Sequence, residues 1–189
     1  MIMKIDEYDT YVAITCIRVT NVGNVNQFIT NVRMVVGDIP FQVFNADKVA
    51  GWKHLYFATI NALNAFENKR NKTKTLQMEI LLYASGEKQI NKAIDLLGIK
   101  EKNEKIALLI LFDKAEKLEE MIDALANAIG GEVNDDLLEI LTEEKFQEIY
   151  SSYKVLDTEL SSVKAISSDA KESLTNLIIE RGALLSIED

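Results

Sequence analysis

The 189-residue chain carries one histidine, His54, and one cysteine, Cys16. Any Ser-His-Asp or Cys-His relay must therefore use His54. A single cysteine excludes an internal disulfide and a cysteine-rich zinc site, leaving at most a carboxylate-dominated metal site. His54 falls inside a helical stretch, on a stripe of small residues, where a histidine ordinarily makes helix contacts rather than catalysing. Cys16 lies in a β-branched run and reads as a small hydrophobe. No Gly-x-Gly-x-x-Gly, Gly-x-x-x-x-Gly-Lys or Gly-x-Ser-x-Gly pattern occurs. Among the carboxylates Glu79 stands apart, because Leu76, Met78, Ile80, Leu81 and Leu82 surround it. A buried carboxylate needs hydrogen-bond donors or a base, so Glu79 is either a structural anchor or part of a site. The last chemical signal is Tyr83-Ala84-Ser85-Gly86-Glu87-Lys88-Gln89-Ile90. A helix starting there exposes N–H groups that favour anions, with Lys88 and Lys92 in its first two turns. The same residues also read as an ordinary helical hairpin capped by Ser85.

Charge is distributed unevenly. The net charge is −9, with −2 over residues 1–47, +5 over 48–105 and −12 over 106–189. A generic nucleic-acid binder is basic overall, and this chain is not. Here only the middle segment is, with Lys69, Arg70, Lys72 and Lys74 in one short stretch. That stretch suits a phosphate-facing patch on an acidic body, or a solvated loop. With 48% hydrophobic and 27% charged residues, one proline (Pro40) and eight glycines, the composition excludes disorder and linker-rich or collagen-like organisation. No apolar run reaches the ~18 residues of a membrane span, and the start lacks the pattern of a signal peptide. A cytoplasmic protein is expected, and Asn71-Lys72-Thr73 then matches the glycosylation pattern by chance.

The elements that must position these groups follow from periodicity. Tyr11–Val19 is β-branched and aromatic, hence a strand. Val25, Phe28, Ile29, Val32 and Val36 recur at helical spacing after Gly23-Asn24, with Gly37 as the stop. Pro40–Asn45 reads as a short strand entered by proline, which fits an edge or a strand start. Asp47 suits the cap of a long helix to Asn68, with Trp52, Leu55, Tyr56, Leu63 and Phe66 on one stripe and Ala50, His54, Ala58, Asn61 and Ala65 on another. The small stripe makes this helix central, since other backbones can approach it. Helices are expected over 75–84 and 86–97, the second with Ile90, Ala93, Ile94 and Leu97 inward and Gly98 as its left-handed stop. Ile106–Phe112 reads as a strand buried on both faces. Helices follow over 114–129, over 135–153 with a break near Thr142, and over 169–181 from Asp169 to a stop at Gly182. Val155–Ser167 is weakly patterned, and Ala183–Ile187 suggests a last strand. The expected fold is mixed α/β (α+β), with several helices packed on a small sheet in one compact domain over residues 1–189.

Asn45-Ala46-Asp47-Lys48-Val49, His54-Leu55 with the alanines of that helix, Glu79-Ile80-Leu81-Leu82-Tyr83-Ala84-Ser85-Gly86-Glu87-Lys88-Gln89-Ile90, and Ala93 to Gly98-Ile99 resemble the kinase-binding subunit of the KEOPS complex, the TPRKB-like family in its archaeal type. The resemblance is clearest over residues 41–112, roughly two fifths of the chain. It implies a non-catalytic subunit without cofactor or metal. Such a subunit docks on the complex's small atypical kinase/ATPase and holds the 3′ CCA end of tRNA for threonylcarbamoyladenosine synthesis, and so serves the threonylcarbamoyltransferase indirectly.

On that reading Lys69, Arg70, Lys72, Lys74 and Lys88 contact the tRNA end with the Ser85-Gly86 turn, and Asn45, His54 and Gln89 order that surface. Kinase docking is expected on Leu174, Ile178 and Leu185 of the last helix and its extension. Two other readings remain open at this point: a small enzyme of nucleotide or cofactor metabolism built on Glu79 and His54, and a protein-only regulatory module. Lys, Glu and Ile richness points weakly to an archaeal thermophile.

Overall fold

In chain order the elements are β1 (Ile2–Ile5), β2 (Thr10–Arg18), α1 (Val25–Val36), β3 (Phe41–Asn45), α2 (Trp52–Glu67), α3 (Leu76–Ser85), α4 (Ile90–Leu97), β4 (Lys105–Phe112), α5 (Ala115–Ile129), β5 (Glu132–Val133), α6 (Glu143–Ser152), α7 (Asp157–Lys164) and α8 (Ala170–Leu184). They are seen in a computed structural model that describes residues 1–164 and 169–187. The end of the weakly patterned Val155–Ser167 stretch thus lies outside the described residues, while its first part forms α7. The chain divides into two compact units, Met1–Ala46 with Gly98–Leu138, and Asp47–Leu97 with Glu139–Asp189.

The first unit is built on an antiparallel sheet of order β1-β2-β4-β3, with β5 also paired to β2. In the β2–β4 ladder Ala13 faces Ile110, Thr15 faces Leu108 and Ile17 faces Ile106. Side chains alternate across a strand, so Ala13 and Ile17 join Ile106, Leu108 and Ile110 on one face. There they meet Phe28, Val32 and Val36 of α1 and Leu118, Ile122 and Leu125 of α5. β4 is buried from Ile106 through Leu111, which is what its unbroken apolar run demanded. Among the described residues β3 pairs only with β4, consistent with a strand entered through Pro40. Thr15 is buried yet satisfied: its hydroxyl donates to Asp135 Oδ1 at 2.5 Å. The short β1 and β5 carry too few residues to show a period and escaped the sequence reading. An all-antiparallel sheet with segregated helices makes the protein α+β, as expected.

The second unit is helical. α3 and α8 both pack on α2, α4 packs on α3, and α7 packs on α8. α2 is central, as the small stripe implied: His54, Leu55, Ala58, Thr59, Ala62 and Ala65 are its buried residues. Most of the large stripe (Trp52, Tyr56, Leu63, Phe66) is only half-buried.

Five features differ from expectation, the first being that the helix expected before Thr142 is only a single 3-10 turn, Asp135–Leu138. α2 starts after Gly51 rather than Asp47, which falls in a separate single turn. At Gly51 the backbone has φ +90° and a Cβ would come within 2.9 Å of the Glu139 carboxylate, which accepts from the Trp52 N–H. α4 begins at Ile90, not Gly86, and Gly86 is instead the left-handed C-cap of α3 (φ +67°). Gly98 lacks the left-handed conformation expected of it. Gly182 does not stop α8, and Ala183–Ile187 forms helix end and turn instead of a strand. A Cβ at Gly182 would collide with the Tyr83 carbonyl oxygen. The glycine is there to let α8 and α3 touch backbone to backbone, and a helix tolerates one glycine at about 1 kcal/mol relative to alanine.

Candidate nucleic-acid interface

Glu79 organises the basic stretch. Its side chain is 1% exposed, on a helix that is apolar nearly all round. The carboxylate accepts from the Lys72 N–H at 3.0 and 3.1 Å, from the Thr73 N–H at 2.8 Å and from the Thr73 hydroxyl at 2.7 Å. The sequence required a buried carboxylate to find donors, and these are backbone and hydroxyl donors of the loop that precedes its own helix. Bonds of this charged kind are roughly twice as strong as neutral ones. They fix the course of residues 69–74. The Asn71 amide adds a bond to the Thr73 carbonyl at 2.8 Å, and Lys69 adopts φ +56° to enter the turn.

The pinned loop presents Lys69, Arg70, Lys72 and Lys74 to solvent. Only Lys72 of these four lines a cleft, of about 390 Å³, together with Thr73, Leu82, Lys88, Gln89, Ile90 and Asn91. Three residues expected from the sequence, Lys72, Lys88 and Gln89, are thus brought to one opening. Lys72 is further oriented by donating through Nζ to the Leu185 carbonyl at 3.1 Å. The cleft combines two ammonium groups, two side-chain amides and the exposed Ile90, a set able to take a phosphate, a base edge and a base face. Leu82 and Asn91 were not singled out from the sequence. Leucine in an apolar helix and asparagine in a helix start carry no signal by themselves; only the α3–α4 packing places them beside the lysines.

The remaining expected site residues lie elsewhere. Ser85 is buried and ties the C-terminus of α3, donating to the Leu82 carbonyl at 2.9 Å and accepting from the Glu87 N–H at 3.1 Å. It does not cap α4. Ser85 and Gly86 line a separate opening. Asn45 is buried at the end of β3 in the sheet unit. Leu174, Ile178 and Leu185 are 0%, 1% and 5% exposed. The docking patch expected on them is corrected: they are core side chains of the helical unit and offer no apolar surface to a partner. Helical periodicity marks an apolar stripe without saying which stripe the chain itself covers.

His54 is fully enclosed. Its Nδ1 accepts from the Ala50 N–H at 3.2 Å, which leaves Nε2–H to donate to the Ala84 carbonyl at 2.7 Å. Tyr153 packs edge-on against the imidazole and donates its hydroxyl to the same carbonyl at 3.1 Å. Both ring nitrogens serve backbone, so the ring fastens the start of α2 to the end of α3. It does not order the basic surface directly. Burial is the main cause that lowers its pKa to about 4, so the ring is neutral at pH 7. The unfolded chain takes up this proton near pH 6.5 and the folded chain does not. The stabilising contribution is therefore complete above pH 6.5 and is lost as pH falls toward 4, at about 1.4 kcal/mol per pH unit. Urea unfolding at pH 7 and pH 5 should show about 2 kcal/mol less stability at pH 5 from this group. His54→Gln, which keeps a donor for Ala84, should lose that part of the pH dependence. Identical pH dependence in the two proteins would refute the assignment.

With Glu79 spent on the loop and His54 on the backbone, the two residues of the expected enzyme alternative do not form a shared reactive centre. Among the described residues no three His, Cys, Asp or Glu side chains converge to hold a metal, and no helix is long and apolar enough to cross a membrane.

Comparison with known proteins agrees with the resemblance. The family model described as kinase binding protein CGI-121 matches residues 19–186. A protein of Methanocaldococcus jannaschii, named regulatory protein Cgi121, is 38% identical over 117 residues, which is 62% of this chain and 72% of that protein. A protein of Pyrococcus abyssi, named KEOPS complex subunit Cgi121, is 37% identical over 73 residues, 39% of this chain and 43% of that protein.

Proposed function

Because the chain belongs to the CGI-121 family of kinase binding proteins, we propose that it is a non-catalytic subunit of a KEOPS complex, which docks on the complex's small atypical kinase/ATPase and holds the single-stranded 3′ CCA end of tRNA during threonylcarbamoyladenosine synthesis. The name of the Pyrococcus abyssi relative supports the membership. The observation that carries the RNA part is the convergence of Lys72, Lys88 and Gln89 on one cleft, held by the Glu79-pinned loop. Lysines take phosphates, while Ile90, 39% exposed, gives an apolar seat for a base. Lys69, Arg70 and Lys74, outside the cleft, contribute long-range attraction and the salt dependence that goes with it. Kinase docking calls for exposed apolar side chains, and Phe57 of α2 and Ile94 of α4 are each 44% exposed. These replace the buried Leu174, Ile178 and Leu185 as candidates.

Two binding measurements test the reading. The kinase should retain the chain on an affinity column, and deacylated tRNA should bind more tightly than the same tRNA trimmed of its terminal CCA. Failure to capture the kinase removes the docking role. Equal affinity for whole and trimmed tRNA removes the 3′-end role and leaves a protein-only module.

A further inference from the structure

Two further openings lie in the helical unit, at the start of α8. One, of about 420 Å³, is lined by Trp52 and Leu141, and the other, of about 460 Å³, by Tyr150 and Ala170. They share Asp169 and Lys171, so together they form one groove across the N-terminus of α8. Its apolar side chains are open to solvent: Leu141 is 61% exposed, and Trp52 and Tyr150 are half-buried. Carboxylates outnumber cations along it, with Glu139, Glu143, Asp157, Asp169 and Glu172 against Lys53 and Lys171. Both cations are engaged locally. Lys171 donates through Nζ to the Leu141 carbonyl at 3.1 Å, and the Lys53 ammonium lies 5.9 Å from the centre of the Trp52 ring. An aromatic groove with acidic walls selects a cationic segment, and arginine suits it best, since a guanidinium both pairs with carboxylates and stacks on rings.

The chain itself carries such a segment. Lys69, Arg70 and Lys74 are exposed, and among the described residues none has an ion-pair partner. The Glu79 carboxylate already fixes the course of their loop, so presenting these cations costs little further ordering. Loop and groove sit at opposite ends of α8. Lys72 of the loop is bonded to the carbonyl of Leu185, the C-cap of α8, whereas Asp169 of the groove is its N-cap. The fifteen residues of α8 span about 22 Å at 1.5 Å per residue. A loop pinned that far away does not enter its own groove, but it is free to enter the groove of another copy.

We propose that the groove at the start of α8 receives the 69–74 loop of a second copy of this chain, so that copies associate head to tail. The contact joins unlike patches, so it is heterologous and extends to further copies instead of closing as a two-fold dimer. Exposed charge pairs dominate it, which makes it weak and salt-sensitive. The RNA reading uses the same loop, so RNA and a second copy compete for it, but the association does not depend on that reading.

Sedimentation velocity of the full chain over a concentration series tests this. At about 0.05 M salt the average mass should rise above that of the monomer with concentration, and at about 0.5 M the association constant should be about tenfold or more lower. Arg70→Glu/Lys74→Glu and Glu143→Lys/Glu172→Lys should each stay monomeric while keeping the parent's helical circular dichroism. Mixing the two variants should restore association, because the acidic loop of one then meets the basic groove of the other. A parent that stays monomeric at low salt, a dimer that both reversals leave intact, or a mixture of folded variants that stays monomeric would each overturn the proposal. Deacylated tRNA separates it from the RNA reading. Dispersal of the assembly by tRNA supports competition for the loop, and tRNA bound to an undispersed assembly overturns it. Association without any tRNA binding leaves the head-to-tail contact standing and sinks the RNA reading.

Discussion

Reversing Lys72 and Lys88 to glutamate together should lower affinity for deacylated tRNA roughly a hundredfold near 0.1 M salt, and flatten the slope of log affinity against log salt by about one to two units. On the proposed reading two ammonium groups at one cleft neutralise neighbouring phosphates, and each phosphate neutralised releases condensed counterions. Glutamate removes that release and adds repulsion. Lys72 also donates to the Leu185 carbonyl, so its reversal can loosen the loop as well as change the charge. The conservative pair Lys72→Arg/Lys88→Arg separates the effects: arginine keeps the cation, and binding should stay within a few-fold of the parent. Reversal of Lys69 and Lys74, which lie outside the cleft, should alter the salt slope without abolishing discrimination between whole and trimmed tRNA. Filter-binding titrations across salt concentrations read all three. An unchanged affinity and slope in the Lys72/Lys88 reversal would remove the cleft from the RNA path.

Glu79→Ala should destabilise the helical unit by about 3–5 kcal/mol. It leaves the Lys72 and Thr73 backbone N–H groups without their acceptor, while the Thr73 hydroxyl keeps the Thr75 carbonyl at 2.9 Å. It also opens a void between α3 and the loop. Glu79→Gln keeps the volume but turns one acceptor atom into an amide donor facing other donors, so about 2 kcal/mol is expected. Both variants should loosen residues 69–74 before the helices melt, visible as faster hydrogen exchange at the Lys72 and Thr73 amides. On the proposed reading RNA affinity should fall with loop order, although none of the cleft lysines has been removed. Slow exchange at these amides in Glu79→Ala would show that something other than the carboxylate fixes the loop.

The linear chain specified its local structure well because local structure depends on neighbours three or four positions away, or two in a strand. Asn24, Thr142 and Asp169 each accept a backbone N–H at the helix start their types promised. The unbroken apolar run of β4 is buried along its length, and the small-residue stripe of α2 is its buried one. Glu79 was recognisable as a carboxylate in need of donors, and the family followed from motifs between Asn45 and Ile99. Tertiary packing decided the rest. Ser85 and Gly86 finish α3 instead of opening α4, because a left-handed glycine lets the chain turn back on itself. Gly182 is a contact, not a stop, since only the α3–α8 crossing brings the Tyr83 carbonyl to it. Leu174 and Ile178 are covered by their own unit, whereas Ile90 and Ile94, on an equally regular stripe, are left half-open. A sequence states which side chains avoid water; which of them find cover within the chain depends on contacts between residues tens of positions apart, and those same contacts set Lys72 beside Lys88.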